Sequence, residues 1–234
     1  MTAQFILQEL QSVGNPEKAQ HLQRFFKTAK GQYAEGDVFL GIVVPVVRNI
    51  VKANKGIPLE EIQTLLNSPY HEARLAAWLF LVQQFNQSKQ DEERKTIFDF
   101  YLANATKANN WDLVDLSCRD VIGAYLLNKE DRSILYRLAE SDNLWEQRIA
   151  IVSTWTLIKH QDYADTLQLS EKLLNHHHDL IHKAIGWMLR EVGKKNKDVL
   201  VGFLEEHHKK MPRTALRYSI EHFSPEERAH FMKK

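Results

Sequence analysis

Residues 108–118 read ANNWDLVDLSC, and this short stretch holds an aromatic plate and two carboxylates behind a pair of asparagines. Trp111 and Asp115 are four apart, so on a helix they share one face, a single turn from each other. The plainest account is a helix cap, a core anchor and a solvated acid. Asn109 or Asn110 caps the helix, and Asp112 in the first turn is favoured by the helix dipole. Asp115 lies a turn deeper, where the ordinary partner is Arg119 at i+4, a weak surface pair. Only if Asp115 faces a surface built for polyanions does it need a catalytic reason, because there it costs affinity.

Such a surface is suggested further along. In IHKAIGWMLREVGKK, Lys183, Trp187, Arg190 and Lys194 fall at i, i+4, i+7 and i+11, one stripe of a helix. Ile185, Met188, Leu189 and Val192 occupy the other side and supply its core contact. Arg213 and Arg217 repeat the basic i, i+4 pair, and Arg148 adds a further cation. Guanidinium and ammonium groups suit phosphates, and indole planes suit bases or sugars. The alternative is a solvated face with half-buried tryptophans. The net charge of +1 hides an asymmetry: from His182 onward there are 12 Lys and Arg against 7 Asp and Glu. A basic C-terminal quarter fits a polyanionic partner better than the total indicates.

The elements that must position these residues are helical. Asn15 with Pro16, and Ser68 with Pro69, read as caps followed by a first-turn proline. Asn143 with Glu146, and Ser224 with Glu227, have the spacing of capping boxes. About a dozen amphipathic segments follow one another through short polar links, WDLVDLSCRDVIGAYLL among them. GDVFLGIVVPVVRN alone reads as loop or extended chain ahead of a helix, punctuated by Gly36, Gly41 and Pro45. HEARLAAW, WEQRIAIV, IHKAIGWM and PRTALRYS each set polar residues, then Arg or Lys, then small apolar residues at a helix start. Their markers Arg74, Arg148, Lys183 and Arg213 recur about every 30–40 residues, the period of stacked helical hairpins. Equivalent helices of such an array line one wall, which gathers Trp111, Arg148, Lys183 and Arg213.

Other chemistries find little support. No apolar run reaches the roughly 18–20 residues of a membrane span. The opening MTAQFILQEL lacks the basic region and cleavage site of a secretory signal. The one cysteine, Cys118, suits a reducing cytoplasmic setting and reads as a small buried hydrophobe. His176, His177 and His178, with His207 and His208, lack an organised metal-ligand spacing. Trp78, Trp145 and Trp155 read as core or packing residues.

Taken together, GDVFLGIVVPVVR, NNWDLVD, SDNLWEQRIAIV, HDLIHKAIGWMLREVGK and MPRTALRYSIEHF resemble the AlkD-like DNA glycosylases, over nearly the whole chain. The resemblance implies one domain, residues 1–234: an all-α, right-handed superhelical solenoid of stacked antiparallel helix pairs of the HEAT-like kind, with a concave basic face. It implies a monomer that binds double-stranded DNA containing alkylated bases and excises N3- and N7-alkylated purines, with no cofactor and no metal. By the same resemblance Asp115 is the catalytic carboxylate, and Trp111 and Trp187 stack around the damaged nucleotide. Arg148 and Arg190 hold the backbone, and Lys183, Lys194, Arg213 and Arg217 widen the footprint. Val43 and Val44 stand before Pro45 where active relatives can carry polar residues, leaving Arg48 as the N-terminal candidate for a phosphate. Two other functions fit the same surface: a non-catalytic binder of damaged or branched DNA, and a protein-interaction scaffold.

Overall fold

The computed structural model describes residues 1–233, and among them the regular elements are helices; the only β pairing is an isolated bridge between Val38 and Tyr70. The chain divides into two compact units, Met1–Ser117 and Cys118–Lys234.

The first unit contains α1 (Ala3–Ser12), α2 (Pro16–Phe25), α3 (Val44–Ala53), α4 (Leu59–Leu66), α5 (His71–Gln87), α6 (Asp91–Ala103) and the short α7 (Trp111–Asp115). Asn15 caps α2 as expected, its side chain accepting from the Lys18 amide at 2.9 Å. The expected start at Ser68 and Pro69 moves to His71. The His71 amide donates to the Val38 carbonyl at 2.8 Å, and the Ser68 hydroxyl accepts from the Tyr70 amide instead of opening the helix. The loop before α3 is pinned by Gly41. At its φ of +83° a Cβ would stand 2.0 Å from the Asn15 carbonyl, so no other residue fits there. Helix α5 is the centre of this unit, packed on α1, α3, α4, α6 and α7. Its Trp78 is fully buried against Tyr101, with ring centroids 4.5 Å apart.

The single helix expected over WDLVDLSCRDVIGAYLL is interrupted. Ser117 Oγ donates to the Leu113 carbonyl at 2.5 Å, and the regular turns end there. The second unit opens with a π-helical segment, Arg119–Gly123, followed by α8 (Ala124–Leu126). Two contacts explain the wide turn. The Arg119 carbonyl is taken by the Thr156 hydroxyl at 2.7 Å, and a Cβ on Gly123 would stand 2.2 Å from the Ser153 carbonyl. Then come α9 (Ser133–Ala139), α10 (Leu144–Lys159), α11 (Ala164–Lys172), α12 (Asp179–Lys195), α13 (Lys197–His207), α14 (Arg213–Ser219) and α15 (Pro225–Met232). The repeat signal is realised as stacked pairs: α10 packs on α12 and α12 on α14, while α9 packs on α11. The Ser224–Glu227 capping box forms. At α10 Asn143 caps Trp145 and Glu146, but the Glu146 carboxylate turns to the Ser141 hydroxyl, which itself accepts from the Asn143 amide at 3.0 Å. The box is closed through a serine. No helix among the described residues is long and apolar enough to cross a membrane.

Candidate functional site

In the first unit the chemistry gathers on α7, a helix of only five residues. Asn110, fully buried, opens it by accepting from the Trp111 amide at 2.9 Å. Trp111 and Asp115 are its first and last residues, both half-buried, so the expected one-turn spacing holds. Trp111 stacks on Phe26 with centroids 5.1 Å apart and planes at 22°, and Phe25 meets it edge-on at 6.1 Å. Phe25 is 58 % exposed, so this aromatic group has an open side.

Helix α7 is too short to hold itself in place. Leu113 and Val114 bury its inner side, and Asp112, read from the chain as a dipole residue, ties it into a buried ionic group. Asp112 Oδ2 accepts from His71 Nε2 at 2.9 Å, and His71 Nδ1 meets Asp37 Oδ2 at 3.0 Å. Arg74 donates through Nη2 to Asp37, through Nη1 to the Ser68 carbonyl at 2.8 Å, and through Nε to Asn109 Oδ1 at 3.2 Å. Two cations thus face two carboxylates in the dry interior, every one of the four residues under 8 % exposed. Burial alone would pull the His71 pKa down; the carboxylates of Asp112 and then Asp37 outweigh it and push the pKa up to about 9. Burial raises the Asp37 carboxyl, but the bond from His71 and the charge of Arg74 prevail and hold it below its usual range. His71 also stacks on Phe39 at 4.3 Å and lies 5.3 Å from Phe26, the ring under Trp111.

In the second unit α12 carries its stripe as expected. Ile185, Met188, Leu189 and Val192 are fully buried, while Lys183, Trp187 and Arg190 are half-buried and Lys194 exposed. The cations have local acidic neighbours. Lys183 meets Asp179 at 2.7 Å, Lys194 meets Glu191 at 2.9 Å, and Arg190 pairs with Glu221 and lies 3.7 Å from Glu191. Arg213 donates to the Met232 carbonyl at 3.0 Å, and Arg217 and, in the first unit, Arg48 are exposed. The Arg119 guanidinium lies 4.5 Å from the centroid of Trp155 and 6.0 Å from that of Trp187, and Lys159 covers Trp155 at 4.7 Å. Trp155 is therefore a half-buried cation platform rather than core, whereas Trp78 and Trp145 are buried as expected.

The repeat markers do not all reach a solvent wall. Arg74 is consumed by Asp37, and Arg148, 5 % exposed, donates to the Leu180 carbonyl at 2.5 Å. Both guanidiniums tie a helix start to a neighbouring element, a use that a planar, multi-donor group serves well. The clustered histidines act as caps and packing: His178 accepts from the Leu180 amide at 3.1 Å, and His176 meets Gln147 at 2.9 Å.

Compared with known proteins, the chain matches the DNA alkylation repair enzyme family over residues 6–223. It belongs to that family. A solved structure described as a predicted DNA alkylation repair enzyme from Enterococcus faecalis has the same fold, with a TM-score of 0.72 at 21 % identity, covering 91 % of this chain and 97 % of that one. No curated protein matches. Membership gives the chain a role in DNA alkylation repair, with DNA as its substrate.

For a member of this family, the ionic group beneath α7 is what reading the chain missed. HEAR with a preceding GD and a following NNWD contained every participant, but the partners are separated by 34 and 41 residues, and no local period marks such pairs.

Proposed function

We propose that this family member is a DNA glycosylase that hydrolyses the N-glycosidic bond of cationic N3- and N7-alkylated purines in double-stranded DNA. The observation that carries the reading is Asp115 itself: a half-buried carboxylate one turn beyond a half-buried tryptophan, on a helix held by a dedicated buried ionic group. Family membership supplies the repair context.

The chemistry asks little more of the protein. Glycoside hydrolysis ordinarily uses two carboxylic groups, one to protonate the leaving group and one to stabilise the sugar cation or activate water. A purine alkylated at N3 or N7 already carries positive charge and departs as a neutral base, so no general acid is required. What develops is an oxocarbenium-like sugar. Asp115 opposes that charge and orients the attacking water, and the Trp111 face adds electrostatic attraction for the cation. Trp187 is assigned to the sugar-phosphate of the damaged nucleotide and Arg190 to a backbone phosphate, where it exchanges Glu221 for the phosphate oxygens. Arg148, expected from the resemblance to hold the same backbone, is buried on the Leu180 carbonyl and is left out of the phosphate contacts. Lys183, Lys194, Arg213, Arg217 and Arg48 contribute salt-sensitive phosphate contacts.

The test is free-base release from duplex DNA containing N7-methylguanine. Wild type releases the base, and Asp115→Asn, which keeps the shape and removes the charge, slows release by about a hundredfold or more at saturating DNA. Equal release by both proteins removes Asp115 from the mechanism. Tight, salt-dependent binding without any release identifies a non-catalytic binder instead.

A further inference from the structure

His71 lies at the centre of the buried ionic group under α7. It is 2 % exposed, and both ring nitrogens meet carboxylate oxygens, Asp37 at 3.0 Å and Asp112 at 2.9 Å. An ionised carboxylate can only accept, so both nitrogens must donate and the ring is an imidazolium. Asp112 reaches the rest of the fold through this ring; its Oδ2 is bonded to His71, and it is the second residue of the helix whose first and last residues are Trp111 and Asp115. A second route runs from the same ring through Phe26 to the Trp111 indole. Beside the buried Leu113 and Val114 and the Arg74–Asn109 bond, these two connections of α7 to the long, buried α5 share one titratable group.

We propose that His71, clamped through both nitrogens by Asp37 and Asp112, is a positioning residue for excision: it holds α7 so that Trp111 and Asp115 keep their working orientation, and loss of its charge slows bond cleavage without weakening DNA binding. The effect on cleavage rests on the glycosylase reading of Asp115; the hold on α7 does not.

The groups that face the ring are few. Asp37 comes from the segment before α3 and Asp112 from α7, and Arg74 on α5 reaches His71 only through Asp37. The neighbouring Glu72 is turned away, accepting from the amides of Leu40, Gly41 and Ile42 at 2.8, 2.8 and 3.0 Å. Phe26 and Phe39 complete the enclosure without charge. With two acids on the ring and its pKa near 9, the lock is closed at neutral pH and opens in the alkaline range. Opening leaves two carboxylates buried with one cation, Arg74, paired to Asp37 and none paired to Asp112, so α7, a five-residue helix that carries Asp112, is the element that yields.

The experiment follows cleavage and helix position separately. Single-turnover release of N7-methylguanine at saturating duplex is measured from about pH 7 to about pH 10, for wild type and His71→Gln. The wild-type rate should fall about tenfold per pH unit above the His71 pKa, with duplex affinity unchanged. His71→Gln, checked for folding by circular dichroism, should be slower at neutral pH by about tenfold or more and keep only the alkaline fall that deprotonation of the methylguanine imposes on both proteins, without the further limb at the His71 midpoint. In wild type labelled with 5-fluorotryptophan, the fluorine resonance assigned to Trp111 by Trp111→Phe should shift with the same midpoint as the His71 ring nitrogens. A folded His71→Gln with the wild-type pH profile overturns the proposal, as does a Trp111 resonance that ignores the His71 titration or a ring that titrates near its ordinary value. Should wild type release no base, the glycosylase reading fails, and the fluorine titration still decides whether His71 holds α7.

Discussion

Helices α5 and α12 are both 17 residues long and carry a cation in their first turns, in HEAR at the start of one and in DLIHK at the start of the other. They put it to opposite uses. From His71 to Leu81 every residue of α5 is buried, so its charged groups are spent inside the protein. His71 and Arg74 hold Asp37 and Asp112, and Glu72 holds the amides of the Leu40–Ile42 turn. Helix α12 buries one face and leaves its cations against carboxylates at the surface, where water and salt compete for them. The difference teaches that a cation at a helix start carries no fixed meaning. Inside, it is a structural tie that cannot be exchanged; outside, it is a loosely held charge that a phosphate can capture.

The contrast can be broken most forcefully at Arg74. Arg74→Met leaves Asp37 with His71 as its one paired cation, beside the Asn109 amide, and removes the bonds to Ser68 and Asn109 Oδ1, so unfolding in urea should show a loss of about 3–5 kcal/mol. Lys183→Met, at the corresponding marker of α12, removes a partly exposed pair with Asp179 and should change stability by no more than ~1 kcal/mol. If the two variants cost the same, the distinction between internal tie and surface charge is wrong.

The next effect is on pH dependence. His71 has a folded pKa above its unfolded value, so its contribution is complete below about 6.5 and is lost as pH rises through about 9. The span corresponds to a loss on the order of 3 kcal/mol, read as a falling urea midpoint between neutral pH and about pH 10. Asp37 acts in the reverse sense: its carboxyl is depressed, so its contribution is present above the ordinary carboxylate range and disappears as pH falls through the lowered value. His71→Gln should remove the alkaline decline and leave acid unfolding in place.

A smaller cost is expected where α12 meets α14. A Cβ on Gly186 would stand 2.5 Å from both the Ala215 carbonyl and the Tyr218 Cβ, so Gly186→Ala should destabilise by about 1–3 kcal/mol. The smallest effect on folding belongs to Lys194→Gln, within ~0.5 kcal/mol, because its partner Glu191 is a surface neighbour. On DNA the same substitution should lower the slope of log affinity against log salt by about 0.9, measured by fluorescence titration. An unchanged slope removes Lys194 from the phosphate contacts.

Much of the helical framework was legible because its signals are local. Asn15, Asn143 and Ser224 cap where they were expected to, since a cap involves groups only two or three residues apart. The buried stripe of α12 follows directly from a 3.6-residue period. Misreadings fell where distant groups intervened. The start of α5 moved because Val38 takes the His71 amide, and the helix through Asp115 broke at Ser117 before the Arg119 carbonyl, held by Thr156, opened a π turn. Arg148 was expected at a solvent wall because a marker position shows charge but not depth; the structure buries it on Leu180.

From the order of its residues alone this protein acquires its helices, its repeating pairs and the one-turn pairing of Trp111 with Asp115, because each depends on neighbours within a turn or two. The tertiary structure alone decided that Asp112 is an ionic anchor rather than a dipole residue and that Arg74 serves the interior. It also made Trp155 a seat for two cations. Those outcomes turn on which charges lose their water together, and desolvation is a property of three-dimensional proximity that no spacing along the chain encodes.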